Sequence, residues 1–475
     1  MTEKTIRRVL VANRGEIAVR IIRACFDEGI ESVLACSAAD TETLAARLAD
    51  QVIVIGPAAA TESYLDIPRV VQAAISAECD ALHPGYGFLS ERPELVDACE
   101  ANDIVYIGPP AEIMRQSGSK LGARAVADEV GIPTGAGSGG LSSAEDAVAA
   151  ARTLGFPLLL KASAGGGGRG MTILRSEDQV TAGYLRSSVE AERAFGDGTV
   201  YLEPYVERAR HVEVQILADS HGNICHLGER DCSTQRRYQK IIEEAPAVGL
   251  PARLVDEIRT AAVDLCKGLG YVGAGTVEFL VDADRNRFVF LEVNARVQVE
   301  HPISEAVTGI DIVREQLRIA RGLPLSFTQA DVAIDGHAIE CRLNAEDSRR
   351  DFAPTPGTIT QWTVPSGEGV RIDTFAHAGA VISPWYDSLI AKVIVHAPTR
   401  EAAIDRMRKV LSKIHAEGVS TTADIHQAIL AHPDFAEAPV TTKWLEDVFL
   451  PAWETDSESH PTGTSRRPHR GGENQ

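Results

Sequence analysis

One stretch of the chain pairs residue types that could grip a divalent ion. In FLEVNARVQVEHP and the residues just before it, Phe288, Phe290, Glu292 and Asn294 share one face of a strand by the two-residue period. Val289, Leu291 and Val293 take the other face. Upstream, GTVEFLV (Gly275 to Val281) is a second strand candidate, and the turn-rich DADRNR joins the two. A hairpin whose turn centres on Arg285 places Glu278 opposite Glu292. Carboxylates facing each other across an antiparallel pair repel unless a cation lies between them. Hard oxygen ligands of this kind suit Mg²⁺ or Mn²⁺, which bridge to phosphates. Arg296, Gln298 and Glu300 continue the spacing with a cation, a neutral hydrogen-bonding group and a carboxylate. A solvated strand face explains the same residues without a metal, because carboxylate metal signatures are loose.

Three further passages carry chemistry of the same kind. FPLLLKASAGGGGRGMTIL holds Gly165, Gly166, Gly167 and Gly168 between two apolar strand candidates. A glycine run there can offer backbone N–H groups to phosphate oxygens and move as a flap, with Lys161 adding a charge. The plainer reading is a floppy hairpin, and no G-x-x-x-x-G-K-[ST] loop occurs. ERDCSTQRRYQKIIEEAP packs Arg230, Arg236, Arg237 and Lys240 into a short span, which fits an anionic substrate or a salt-bridged surface loop. Cys232 inside it reads as a packed side chain. HVEVQILAD places His211, Glu213 and Gln215 on one face, which could simply meet water. HPGYGFLSE is a bent loop whose Tyr86 and Gly87 either touch a ligand or merely reverse the chain.

The elements that must position these residues read as a multidomain chain. Its 475 residues predict two to four domains, and a net charge of −20 argues against nucleic acid or an anionic membrane as the main partner. No signal-peptide core and no membrane-length apolar run occur, and eight cysteines lack zinc spacing, so reduced cytoplasmic thiols are expected. Arg7 to Ala12, Ser32 to Cys36 and Gln51 to Ile55 are strand candidates alternating with helices, an α/β unit with a largely parallel sheet. Its first turn lacks the dinucleotide fingerprint. Lys120 precedes a helical run, and Gly135 to Gly140 reads as a hinge into a separate lobe. Farther on, GHAIECRLNAED is a strand carrying Arg342, and Thr399 can cap a helix through Ile414. After Trp453 the composition reads as a disordered tail.

A mobile glycine hairpin, two lysines, paired carboxylates and a cationic cluster are the parts of phosphoryl transfer without a P-loop. Together FPLLLKASAGGGGRGM, ERDCSTQRR, FLEVNARVQVEHP and HPGYGFLSE resemble the ATP-grasp motifs of biotin carboxylase, from about Arg7 to Leu450 in matching order. The resemblance implies an N-terminal Rossmann-like α/β domain over 1–118, an ATP-grasp domain over 119–333 with a lid near 135–205, and a C-terminal biotin-carboxylase domain over 334–450. It implies ATP held by Lys120, Lys161, the Gly165–Gly168 loop and His211, with adenine at Glu203, Pro204 and Val206. Gln235, Tyr238 and Leu280 complete the implied nucleotide site. Glu278 and Glu292, with Asn294, would hold two Mg²⁺ or Mn²⁺. Bicarbonate would sit on Arg296, Gln298, Val299 and Lys240, with Glu300 as base. Arg342 would stabilise the biotin enolate, and Tyr86 and Gly87 would place its ring.

The implied activity is ATP-dependent carboxylation of biotin through carboxyphosphate, the first half-reaction of an acyl-CoA carboxylase. Three positions depart from the family pattern: Tyr238 stands where histidine is common, Pro204 where lysine is, and Thr422 where asparagine is. No methionine precedes a lysine, so the chain carries no Met-Lys biotin acceptor. The expected partners are therefore a separate biotin carboxyl carrier protein, a carboxyltransferase subunit and a second copy of this chain. Another ATP-grasp ligase, or a silent nucleotide-binding subunit, would share the metal pair and glycine loop. Neither predicts Glu300 and Arg342 in these contexts.

Overall fold

The computed structural model describes residues 4–135, 137–163, 171–282 and 284–453, with backbone only at 120, 121 and 195. The glycine loop, the Lys120 side chain and the tail after Trp453 therefore lie outside the described residues. Near the N-terminus, β1 (Arg8–Val11), β2 (Glu31–Ser37), β3 (Gln51–Gly56), β4 (Ala81–His83) and β5 (Val105–Tyr106) form a parallel sheet in the order β3-β2-β1-β4-β5. The order reverses at β1, and the turn after β1 leads into the helix Gly15–Asp27. Open α/β sheets place ligands at such a switch point. Glu16 and Tyr86 meet there, with the Tyr86 hydroxyl donating to the Glu16 carboxylate.

A three-stranded antiparallel sheet follows: β6 (Leu158–Ala162), β7 (Thr172–Leu174) and β8 (Val200–Pro204), ordered β7-β6-β8. The expected joining of strand to strand around the glycines is present. Helices Ala144–Leu154 and Val180–Phe195 bury their small faces on it through Ala147, Ala151, Val180 and Ala191.

The central sheet has eight strands. Six are β9 (Ala209–Ala218), β10 (Ile224–Arg236), β11 (Gln239–Ala245), β12 (Gly273–Asp282), β13 (Arg287–Asn294) and β14 (His337–Asn344). They run β13-β12-β9-β10-β11-β14, then continue into strands Leu389–Ala397 and Val370–Thr374. Because β11 pairs β14, one sheet carries strands from both sides of position 334. Thr399 caps the helix Arg400–Leu411 by accepting from the Ala402 N–H, as expected, although Ile414 lies beyond its end. Among the described residues no helix is long and apolar enough to cross a membrane.

The β12–β13 hairpin places Glu278 opposite Glu292, but not by the simple turn that the sequence suggested. Asp282 pairs Arg287 and Phe279 pairs Phe290, and then Leu291 is passed over as a bulge. The extra residue reverses the side-chain phase. Phe288, Phe290 and Val293 therefore face the apolar core with Phe279, while Glu292 and Asn294 face the side of Glu278. The expectation that Phe290 and Glu292 share a face is thus corrected. A one-residue shift moves every later side chain to the other face.

Candidate active site

A cavity of about 780 Å³ opens between the N-terminal sheet and the central sheet. Tyr86, Gly87, His211, Tyr238, Lys240, Glu278, Glu292, Asn294, Arg296, Gln298, Val299 and Arg342 all line it. The expected ligands from six separate passages therefore converge. The polar face of β9, read from sequence as able to meet water, is instead buried, with Glu213 and Gln215 at 0% exposure.

The centre of the floor is Lys240. Its ammonium donates to Glu213 at 2.6 Å, Glu300 at 2.6 Å and Glu278 at 3.1 Å. Burial lowers the Lys240 pKa, but Glu213, Glu278 and Glu300 outweigh it and hold it well above the usual lysine value. Glu300 is also 3.0 Å from Arg342 Nη2. Burial pushes the Glu300 pKa up, yet Lys240, Arg342 and Arg230 hold it well below the usual carboxylate range. It is thus ionised, with Lys240 and Arg342 neutralising its charge.

The rest of the cationic run is dispersed rather than clustered. Arg230 is fully buried and bonds Glu213, Gln215, Ser304 and Thr276. Arg236 pairs with Asp351, and the Arg237 N–H donates to Glu446. Arg237 and Tyr238 both have positive φ, 48° and 65°, and form the two-residue turn between Arg236 and Gln239. That turn is normally Asn-Gly. Here it sets Tyr238, 49% exposed, on the cavity rim. Gln235 pairs Lys240 across the same hairpin.

On the β12–β13 side, Asn294 Nδ2 donates to Glu278 at 3.0 Å and Gln298 Nε2 at 3.2 Å. His211 Nε2 stands 2.9 Å from the other Glu278 oxygen. Burial raises the Glu278 pKa, but Lys240 and His211 hold it far below the usual range. Ligand atoms of His211, Glu213 and Glu278 lie within 4.8 Å of one another. The carboxylate and amide donors of Glu278, Glu292 and Asn294 fit a hard divalent ion, and the cationic neighbours show how strongly this acidic cluster draws positive charge.

Arg296 is held by Glu91 at 3.0 Å, Gln298 at 2.7 Å and Asn294 at 2.8 Å. The Val299 carbonyl accepts from the fully buried Lys392 at 3.0 Å. Thr422 accepts from the Asn344 N–H and donates to the Arg342 carbonyl, so this departure from the family pattern steadies the strand that carries Arg342.

Several expected residues do not line the cavity. Lys161 pairs with Glu203, which also meets Arg124 at 2.7 Å, and both sit in the three-stranded sheet. Pro204 ends β8, and Val206 follows it outside any strand. Leu280 is the cross-strand neighbour of His211 on β12. The sequence reading missed Glu91, Glu243 and Lys392 as site partners. Lys392 left a usable trace, as one lysine inside the apolar run LIAKVIV.

Family models match nearly the whole chain. Residues 5–114 match the biotin carboxylase N-terminal domain, 119–328 the carbamoyl-phosphate synthase L chain ATP binding domain, and 340–447 the biotin carboxylase C-terminal domain. Biotin carboxylase 1 of Bacillus subtilis is 46% identical over 442 residues, covering 93% of this chain and 98% of that protein. The fold is similar to the Campylobacter jejuni biotin carboxylase–β-γ-ATP complex, with TM-score 0.88 and 43% identity over 93% of this chain and 99% of that one. It is also similar to the biotin carboxylase domain dimer of Hydrogenobacter thermophilus 2-oxoglutarate carboxylase with MgADP, ADP and bicarbonate. There the TM-score is 0.87 and the identity 43%, over 94% of this chain and 98% of that one.

Proposed function

The chain belongs to the biotin carboxylase family, and from that membership we propose how its residues divide the work. It is an ATP-dependent ligase that carboxylates biotin, with bicarbonate as the carbon source and Mg²⁺ as the metal. In this reading Arg296 and Gln298 hold bicarbonate beside Lys240. Glu300 takes the bicarbonate proton as its oxygen attacks the γ-phosphorus of ATP, and ADP leaves carboxyphosphate behind. Glu278, Glu292 and Asn294 would hold the divalent ion, which would supply charge neutralisation for phosphoryl transfer. Lys161 and the Gly165–Gly168 loop, with Lys120, are proposed to meet the nucleotide from the lid, with adenine at Glu203 to Val206 beside Leu280. Tyr238 and Gln235 are proposed to meet it from the central sheet.

Carboxyphosphate then breaks into CO₂ and phosphate, and the phosphate takes the proton of biotin N1. Arg342 offsets the oxyanion on the ureido carbonyl, while Tyr86 and Gly87 place the ring. The observation that carries this reading is the Lys240–Glu300–Arg342 chain of ion pairs, in which the fully buried Glu300 lies between two cations that line the cavity. It joins the bicarbonate end to the biotin end through one carboxylate. Eight buried, unpaired cysteines support a reducing, cytoplasmic setting. We also infer that the biotin arrives on a separate carrier protein and that the chain works as a homodimer beside a carboxyltransferase.

The test is ATP turnover by the purified chain with Mg²⁺ and bicarbonate. Free biotin is expected to raise it. Turnover that requires ammonia or an amino acid in place of biotin would point to another ligase.

A further inference from the structure

Two buried carboxyls near the cavity floor have no role in the steps above. Glu243 on β11 and Glu340 on β14 are directly opposed in register, and both have 0% exposure. Glu243 Oε1 accepts from Arg342 Nε at 2.5 Å. Its Oε2, and both oxygens of Glu340, have no hydrogen-bond partner among the described residues. Lys392, opposite Arg342 on the next strand, is the near cation. It is already committed to Glu16 at 3.1 Å and to the Val299 carbonyl.

The other groups facing the pair are Arg342 on β14, Lys240 on β11 and Cys232 on β10. The helix His301–Thr308 adds Glu300 and His301 at its start and covers the face with Ile303 and Val307. An ionised Glu340 would have no donor and would lie against a second carboxylate in an apolar-capped site. A neutral carboxyl avoids most of that cost. Burial pushes the Glu340 pKa well up, and Glu243 and Glu300 add to the rise against Lys392. Burial raises the Glu243 pKa to about 7, against the pull of Arg342 and with Glu300 adding to the rise.

We propose that Glu243 is a positioning residue for Arg342, competing with Glu300 for its guanidinium, and that Glu340 stays neutral opposite it so that Glu243 alone titrates. The proposal rests on Arg342 acting on biotin. With Glu243 ionised, the guanidinium is held from the strand side and shared between two carboxylates. With Glu243 protonated, the charge-assisted bond is lost and Arg342 falls to Glu300, the base. The biotin step therefore weakens as pH falls through the Glu243 transition.

The experiment is the pH profile of kcat/KM for free biotin in the wild type, Glu243→Gln, Glu340→Gln and Arg342→Ala, with infrared spectra of protonated carboxyls. Arg342→Ala should lose biotin carboxylation; if it does not, the reading of Arg342 fails, and the proposal with it. Given that loss, Glu243→Gln should lower biotin kcat/KM by about tenfold or more and abolish the acid limb near neutrality. A wild-type acid limb retained in Glu243→Gln overturns the positioning role alone. The wild type should show a protonated-carboxyl band at alkaline pH that Glu340→Gln lacks. No such band, or one that survives the substitution at full intensity, overturns the neutral Glu340. Absence of the band from the wild type refutes the neutral Glu340 even if the variant fails to fold.

Discussion

Arg342 Nη2 stands 3.0 Å from Glu300 Oε2, so the cation assigned to biotin and the base assigned to bicarbonate are one ion pair before either substrate binds. Lys240 holds the other Glu300 oxygen at 2.6 Å. A carboxylate between two cations stays ionised at low pH. It is freed for chemistry only when substrates draw those cations away.

Glu300→Gln keeps the shape and removes the base. Biotin-dependent turnover is expected to fall by roughly 10²- to 10⁴-fold. ATP should still bind, as measured by calorimetry. Near-normal turnover would remove Glu300 from the role of base.

Arg342→Ala is expected to lower kcat/KM for biotin by about 100-fold or more, because the oxyanion loses its charged partner. ATP affinity should change far less. An unaffected carboxylation rate would count against the enolate assignment.

Glu278→Gln and Glu292→Gln should each raise the Mg²⁺ concentration needed for half-maximal turnover by about tenfold or more. Their stabilities should differ. Glu278 is buried and bonded to Lys240, whereas Glu292 is exposed in the cavity. Thermal unfolding should drop for Glu278→Gln and hold for Glu292→Gln, and equal drops would contradict the burial argument.

Lys392→Met strands Glu16 in a buried site, because Lys392 has 0% exposure and stands 3.1 Å from Glu16. Breaking a buried pair by removing one partner costs about 3–5 kcal/mol. Urea unfolding measures the loss, and a change under about 1 kcal/mol would show that the pair is not coupled to stability.

Acid stability follows from depressed carboxyls. Burial raises the Glu244 pKa, but hydrogen bonds from His337 and Arg400 outweigh it and bring it down to about 2. Burial likewise raises Asp373, but Arg371 brings it down to about 2. A depressed carboxyl stabilises the fold above its unfolded pKa, near 4, and loses that contribution as pH falls toward the folded value. Unfolding free energy should therefore decline from about pH 4 to 2, by on the order of 3 kcal/mol for Glu244. Glu243 has the opposite sign: its ionisation near 7 opposes folding, and that penalty is relieved as pH falls through its folded value. Denaturant titrations at each pH check both signs.

The candidate site was legible where a residue type and a period coincide. Glu278 and Glu292 could be paired by counting from the turn, and the pairing is present. The route to it was hidden, because no residue announces the bulge at Leu291. The polar face of β9 was visible as alternation, but whether water or protein covers it depends on strands far along the chain. Glu243 and Glu340 are separated by 97 positions, and only the pairing of β11 with β14 opposes them. The hairpin turn was opaque for another reason, since Arg237-Tyr238 adopts a geometry that sequence rules reserve for Asn-Gly.

The most direct test of the whole account is transfer of labelled bicarbonate to free biotin by the wild type and by Glu300→Gln, with ATP and Mg²⁺. The account predicts labelled carboxybiotin from the wild type, dependent on ATP, and almost none from the variant. Equal label from both proteins, or ATP hydrolysis by the wild type with no label reaching biotin, would contradict it.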